Sequence, residues 1–223
     1  MVKSRSSKRW LHEHFNDPYV KKAQAQGYRA RSAFKLEEIL TQNPLIRRGM
    51  WVVDLGAAPG SWSQVAAAHC GAQGRVFALD ILRMDALADV DTLQGDFTQP
   101  EAYEQFCQLI QERAVNEGRK GERLIDGVLS DMAPNTSGTL AVDQARSMYL
   151  SELAFQFATE TLKNGGFWVC KVFQGEGSDA LLREARAAFT KVWIRKPDAS
   201  RTRSREVYWV AQGFKLKGSL YFL

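Results

Sequence analysis

Cysteine and histidine are both scarce in this chain, with three of each among 223 residues. Cys70, Cys107 and Cys170 are scattered and odd in number, and His12, His14 and His69 share no ligand spacing. Neither a disulfide framework nor a Cys/His metal centre is therefore expected, and the cysteines read as reduced core thiols of a cytoplasmic protein. No apolar run approaches the length of a membrane span, and no signal-peptide pattern opens the chain. Internal repeats are lacking, as is the three-glycine fingerprint of a dinucleotide site.

What is present is a globular composition, 45% apolar and 11% aromatic, long enough for one domain with a full core. The net charge of +5 is unevenly spread. Residues 1–48 carry eleven Lys/Arg against four Asp/Glu, and residues 191–223 carry eight against two, while the middle carries eleven against nineteen. Two basic ends converging on one face would make a phosphate-binding footprint; a solvated tail explains the charge equally well.

The organising stretch is Trp51–Gly60. Val52, Val53 and Leu55 predict a buried parallel strand, Gly56 and Gly60 bracket a tight loop, and Ser61 opens a helix. A strand, a glycine loop and a helix in that order place a small-molecule site at the carboxyl edge of an open α/β sheet. Pro59 removes an amide that a pyrophosphate would use, and Asp54 is expected to put negative charge at the loop mouth. Both features disfavour a dinucleotide and suit a cationic adenosyl ligand such as S-adenosyl-L-methionine. Asp80 ends the next strand, 20 residues beyond Gly60, where an acid that binds ribose hydroxyls belongs. Asp96 ends a third short strand at the same edge. It either reaches an adenine amino group or caps its own loop.

Along the rest of the chain, residues 1–9 read as a disordered basic arm, and a short helix is expected from Trp10. Further helices are expected over 18–26, up to Leu40, and over 62–70, 101–113, 142–162 and 178–188. The 142–162 helix is expected to stop at Asn164-Gly165. Strands are expected at 124–130, 167–173, 189–195 and 206–212, with a polar surface loop at 114–123 and a candidate substrate loop at 132–141. Arg29, Arg31 and Lys35 alternate with Tyr28 and Phe34, which suits stacked RNA bases; an ordinary apolar helix stripe explains the aromatics as well. Arg201, Arg203 and Arg205 form a second basic loop. Lys171 interrupts a strand that otherwise reads as buried on both faces. An ammonium there is costly unless paired or opening to a cleft, so Lys171 is a candidate functional group, with a snorkelling edge lysine as the alternative.

Four segments together make the chain resemble the FtsJ/RrmJ (RlmE) family of ribose 2′-O-methyltransferases, from about Arg9 to Gln212. They are Asp54–Trp62, Ser130–Asn135, Val169–Gly175 and Ser204–Tyr208. Within the family the match is close to the bacterial members that methylate a uridine of 23S ribosomal RNA. The resemblance implies an α/β, Rossmann-like class I methyltransferase fold: a seven-stranded, mostly parallel sheet with an antiparallel last strand and helices on both faces. It implies S-adenosyl-L-methionine held by Gly60, Trp62, Asp80, Asp96 and Asp131, and a catalytic tetrad of Lys35, Asp131, Lys171 and Glu206. Lys171 is the expected proton acceptor. Arg29, Arg31, Arg201, Arg203 and Arg205 are the expected RNA phosphate contacts. The expected partner is ribosomal RNA, within the assembled large subunit; no metal and no membrane are expected, and the chain is read as a cytoplasmic monomer. The expected domain spans 10–213, followed by a tail at 214–223 that, like the long 114–123 loop, departs from the bacterial pattern. A nicotinamide-dependent oxidoreductase and a non-catalytic RNA-binding module are the rival readings. Pro59 weighs against the first and Lys171 against the second.

Overall fold

A computed structural model describes residues 17–135, 137–201 and 204–216. The basic arm, the helix expected from Trp10, Arg203 and the tail beyond Leu216 lie outside the described residues.

The chain opens with α1 (Pro18–Ala25). Asp17 caps it by accepting the Tyr19 N–H at 2.9 Å, and Pro18 supplies the fixed φ suited to a first helical turn. There follow α2 (Ala33–Gln42), β1 (Trp51–Leu55), α3 (Ser61–Cys70), β2 (Arg75–Asp80) and β3 (Val90–Gln94). The second half comprises α4 (Pro100–Asn116), β4 (Ile125–Ser130), α5 (Leu140–Thr161), β5 (Leu162–Phe173), α6 (Ser178–Ala188), β6 (Phe189–Arg195) and β7 (Glu206–Phe214).

The strands form one seven-stranded sheet in the order β3-β2-β1-β4-β5-β7-β6. The five from β3 to β5 run parallel, and β7 is inserted antiparallel between β5 and β6. The expected architecture holds. Its core strands are buried on both faces. Val53, Leu55, Phe77, Val128 and Trp168 meet Phe106 and Ile110 of α4, Phe157 of α5 and Leu181 of α6. Val52, Val76, Leu129, Val169 and Val210 face Leu36 and Ile39 of α2 and Trp62 and Val65 of α3. Each such aliphatic side chain contributes roughly 1.5–3 kcal/mol on burial, which explains why a β-branched run, rather than an alternating one, marks these strands. The chain enters at β1, winds outward through β2 to β3, then returns to β4 on the other side of β1. The reversal opens a crevice at the carboxyl ends of β1 and β4.

Three local expectations are corrected. Helix α5 stops at Thr161, not at Asn164-Gly165, because Leu162 already pairs with Ile125 in the sheet. Its last carbonyls are met by Arg123, whose Nη1 donates to Thr159 O at 2.7 Å and Leu162 O at 3.1 Å, and Gly165 (φ 82°) serves an irregularity within β5. The 114–123 segment is helical through Asn116, with Ala114 buried. The rest of the segment is largely exposed, as expected of a surface loop, and is pinned where Arg119 closes on Asp126 at 2.6 Å and lies over the Trp51 ring. Strand β7 runs on to Phe214, two residues past the expected 206–212, and the buried Phe214 ring packs on Phe189.

Candidate active site

The crevice is built by close approach of two loops. Gly56 (φ 76°) follows β1, and a Cβ there would lie 2.7 Å from the Met132 side chain and 2.9 Å from its main chain. Only glycine allows the β1 and β4 loops to meet this closely. Behind them lies a cavity of about 460 Å³ whose lining includes Gly56, Asp80, Asp96, Phe97, Asp131 and Met132.

Three of the predicted cofactor residues, Asp80, Asp96 and Asp131, line this cavity. Asp80 accepts the Ala58 N–H at 2.9 Å through Oδ2 and the Leu82 N–H at 2.8 Å through Oδ1. Asp96 caps its own loop by accepting from the N–H and hydroxyl of Thr98, and it also faces the cavity, so the two readings of its position are compatible. The other two stand back. Gly60 (φ 107°) begins α3, and a Cβ on it would come within 2.8 Å of Arg29 Nη1 and Met84 Sδ. The Trp62 side chain turns to the opposite side, where Nε1 donates to Ser32 O at 2.8 Å and the ring packs against Tyr208.

Asp54 does not sit at the loop mouth. It is wholly buried beneath α3, where Ser63 Oγ donates to its Oδ2 at 2.6 Å, while Oδ1 has no hydrogen-bond partner. Burial pushes its carboxyl up to about 7; the Ser63 bond opposes this, and Asp131 and Asp80 add to it.

The four tetrad residues come from four separate segments and are brought together by strand register. Ser130 pairs with Cys170, which sets Asp131 beside Lys171, and Lys171 pairs with Tyr208 across the antiparallel ladder. Lys171 Nζ is 3.0 Å from Asp131 Oδ1 and donates to Asp131 O at 2.5 Å. Helix α2 lies over this corner, and Lys35 Nζ donates to Glu206 Oε1 at 2.7 Å. The pairs are joined by a residue that pattern reading missed. Tyr208 Oη donates to Asp131 Oδ1 at 2.8 Å and accepts from Lys35 Nζ at 3.1 Å. The sequence carried one signal for it: Tyr208 is two residues from Glu206 in a strand, hence on the same face.

The electrostatics of the group are those of two neutralised pairs. Burial raises the Asp131 carboxyl, but Lys171 and Lys35 outweigh it and the net shift is downward. Glu206 behaves likewise, with burial opposed and exceeded by the Lys35 charge and hydrogen bond. The Tyr208 hydroxyl is driven well above its ordinary value, first by burial and then by Asp131 and Glu206, so it stays a proton donor.

On the far side of the tetrad is a second hollow of about 530 Å³, lined by Arg31, Ser32, Lys35, Arg201, Ser204 and Glu206. Arg31 is held by Asp17 and by Ala199 O, and burial and Arg201 lower its pKa. Arg205, between Ser204 and Glu206 in the chain, is exposed. Arg29 is committed elsewhere, to the carbonyls of Pro59, Asp85 and Ala86.

A family model described as FtsJ-like methyltransferase matches residues 28–214. The chain belongs to the FtsJ-like methyltransferase family. A Stutzerimonas stutzeri protein called ribosomal RNA large subunit methyltransferase E is 54% identical over 215 residues, covering 96% of this chain and all of the relative. A Legionella pneumophila protein of the same name is 52% identical over 216 residues, covering 97% of this chain and all of the relative. Among solved structures, a Plasmodium falciparum chain described as a ribosomal RNA methyltransferase superposes with a TM-score of 0.70 at 24% identity. That match covers 84% of this chain and 98% of the other, a likeness of fold.

In this FtsJ-like methyltransferase the cavity and the tetrad share one residue. Asp131 lines the former and holds Lys171 of the latter with both its carboxylate and its carbonyl. Among the described residues, no helix is long and apolar enough to cross a membrane.

Proposed function

We propose that the enzyme uses S-adenosyl-L-methionine to methylate the ribose 2′-hydroxyl of a uridine in 23S ribosomal RNA, on the assembled large subunit, as a cytoplasmic monomer. The observation that carries this reading is the double role of Asp131, which puts a basic amine at the edge of an acidic adenosyl-sized cavity. The cavity fits a cationic cofactor: Asp80, Asp96 and Asp131 line it against one cation, Arg146. When bound, S-adenosyl-L-methionine supplies an activated methyl group. The protein's task is to present a hydroxyl in line with it and to receive its proton.

Lys171 is the proton acceptor in this reading. Two of its hydrogen-bonding directions are taken by Asp131, which leaves the remaining one, the lone pair of the neutral amine, for the substrate hydroxyl. It takes the hydroxyl proton as a neutral amine, and Tyr208 donates to the same Asp131 carboxylate oxygen that the lysine faces. Lys35, paired with Glu206 at the wall of the second hollow, steadies the ribose or its phosphate, and Arg201 and Arg205 bind flanking phosphates.

The test is methyl incorporation into undermethylated large subunits beside calorimetric titration of the cofactor. Wild-type protein should bind S-adenosyl-L-methionine and label a ribose. Lys171→Ala should bind the cofactor as wild type does and keep only trace methyl transfer; full turnover in that variant removes Lys171 from the mechanism.

A further inference from the structure

The connection between α1 and α2 is stitched to the first turn of α3. Gln64 Oε1 accepts the Arg29 N–H at 2.8 Å and Gln64 Nε2 donates to Gly27 O at 3.0 Å, while the Ser32 and Ser61 hydroxyls lie 2.7 Å apart. This anchoring fixes the direction of the Arg29 side chain. Its Nη1 donates to Pro59 O at 3.0 Å and Asp85 O at 2.8 Å, and its Nη2 donates to Ala86 O at 2.9 Å. Pro59 belongs to the glycine loop after β1, whereas Asp85 and Ala86 belong to the segment after β2.

Those two segments form one end of the acidic cavity, through Ala58 on one side and Asp80 to Leu82 on the other. They are tied at the cavity itself by Asp80, which accepts the Ala58 N–H. Arg29 is a second tie, running from the opposite chemistry: a cation donating to carbonyls. Gly60 leaves the room for it, since any Cβ at that position would meet Nη1 at 2.8 Å. A planar guanidinium can reach carbonyls on two chain segments at once, and a point-like ammonium cannot do so equally well.

We propose that Arg29 is a positioning residue for the cofactor, clamping the two loops that close the end of its cavity, and not a contact to RNA phosphate. The proposal rests on the reading of that cavity as the S-adenosyl-L-methionine site. It gives the α1–α2 connection two duties, because the hollow beside the tetrad takes Arg31, Ser32 and Lys35 from the residues that follow.

The experiment compares wild type, Arg29→Ala and Arg29→Lys in three measurements. These are S-adenosyl-L-methionine affinity by calorimetry, KM and kcat for methyl transfer, and the salt dependence of RNA binding. Arg29→Ala should weaken cofactor binding about tenfold or more and raise the cofactor KM to match. Its kcat at saturating cofactor should stay within about twofold, and its salt slope should stay that of wild type. Arg29→Lys keeps the charge and loses the fork, so it should fall between the two in cofactor affinity with an unchanged salt slope. Should Arg29→Ala fail to fold, Arg29→Lys decides alone, and wild-type cofactor affinity in that variant overturns the proposal. Unchanged cofactor affinity in Arg29→Ala overturns it too. So does a salt slope shallower by about 0.7–0.9, the mark of one phosphate no longer neutralised, or a kcat that falls with the affinity. Failure of the wild-type protein to bind S-adenosyl-L-methionine would instead remove the cofactor reading itself.

Discussion

Tyr208 stands directly opposite Lys171 in the β5–β7 ladder, and both reach the same oxygen, Oδ1 of Asp131. Lys35 Nζ closes on the other side of the tyrosine hydroxyl at 3.1 Å. The tetrad is thus two ion pairs joined through a phenol. Tyr208→Phe keeps the buried ring and deletes only the bridge. A hydrogen bond to a charged group is worth about 1.5–3 kcal/mol, so stability should fall within that range as measured by urea unfolding. Turnover should fall roughly tenfold, while the cofactor affinity should remain that of wild type because the ring does not line the cavity. Full turnover in Tyr208→Phe would reduce the bridge to a packing feature.

The buried carboxylates give pH dependences of opposite sign. Asp131 and Glu206 are lowered, so the stability they contribute is present above their unfolded values and is lost as pH falls through the folded ones. Asp54 is raised, from an ordinary 3.8 to about 7. Between those values the folded chain holds more protons than the unfolded one, so the Asp54 contribution to stability declines as pH rises and is flat above about 7. Asp54→Asn keeps an acceptor for Ser63 and removes this titration. The stability of the variant relative to wild type should therefore grow from pH 4 to pH 7 and then level off, as followed by urea denaturation across that range. A difference independent of pH would place the Asp54 carboxyl at an ordinary value.

Much of this architecture is legible in the sequence because burial on both faces leaves a direct mark. β1 reads as a strand from Val52, Val53 and Leu55, and Lys171 stands out because its neighbours are apolar. Register leaves no such mark. Tyr208 is only the end of the Ser204–Tyr208 segment until β7 is laid antiparallel against β5, where it meets Lys171. Arg29 reads as an RNA contact because basic residues among aromatics look the same whether they face phosphate or main-chain carbonyls. Helix ends are misread for a similar reason: Asn164-Gly165 has the chemistry of a helix stop, but the helix ends where Leu162 joins the sheet beside Ile125, its carbonyls met by Arg123, about forty residues earlier in the chain.

Arg201 lines the hollow beside the tetrad, and Arg205 is exposed in the same loop. Arg201→Gln with Arg205→Gln should weaken RNA binding and flatten its salt dependence by roughly 0.7 for each phosphate left without its arginine. Filter binding over a range of salt concentrations measures the slope. Cofactor affinity should be untouched, since neither side chain lines the acidic cavity. A slope equal to that of wild type would place the phosphate track elsewhere on the surface.

Asp131 is the one residue whose loss should be felt on both sides of the site. Asp131→Asn removes a carboxylate from the cavity wall and, at the same time, the charge that holds Lys171. Two effects should follow together: weaker S-adenosyl-L-methionine binding and loss of methyl transfer, whereas Lys171→Ala shows the second alone. Because Asp131 acts on the proton only through Lys171, the double variant should turn over no more slowly than Lys171→Ala, with cofactor affinity equal to that of Asp131→Asn. This is the non-additivity of groups that work as one unit. Additive losses in kcat across the cycle would mean that Asp131 touches the reacting atoms independently of the lysine, and would break the link between cavity and tetrad on which the proposed function depends.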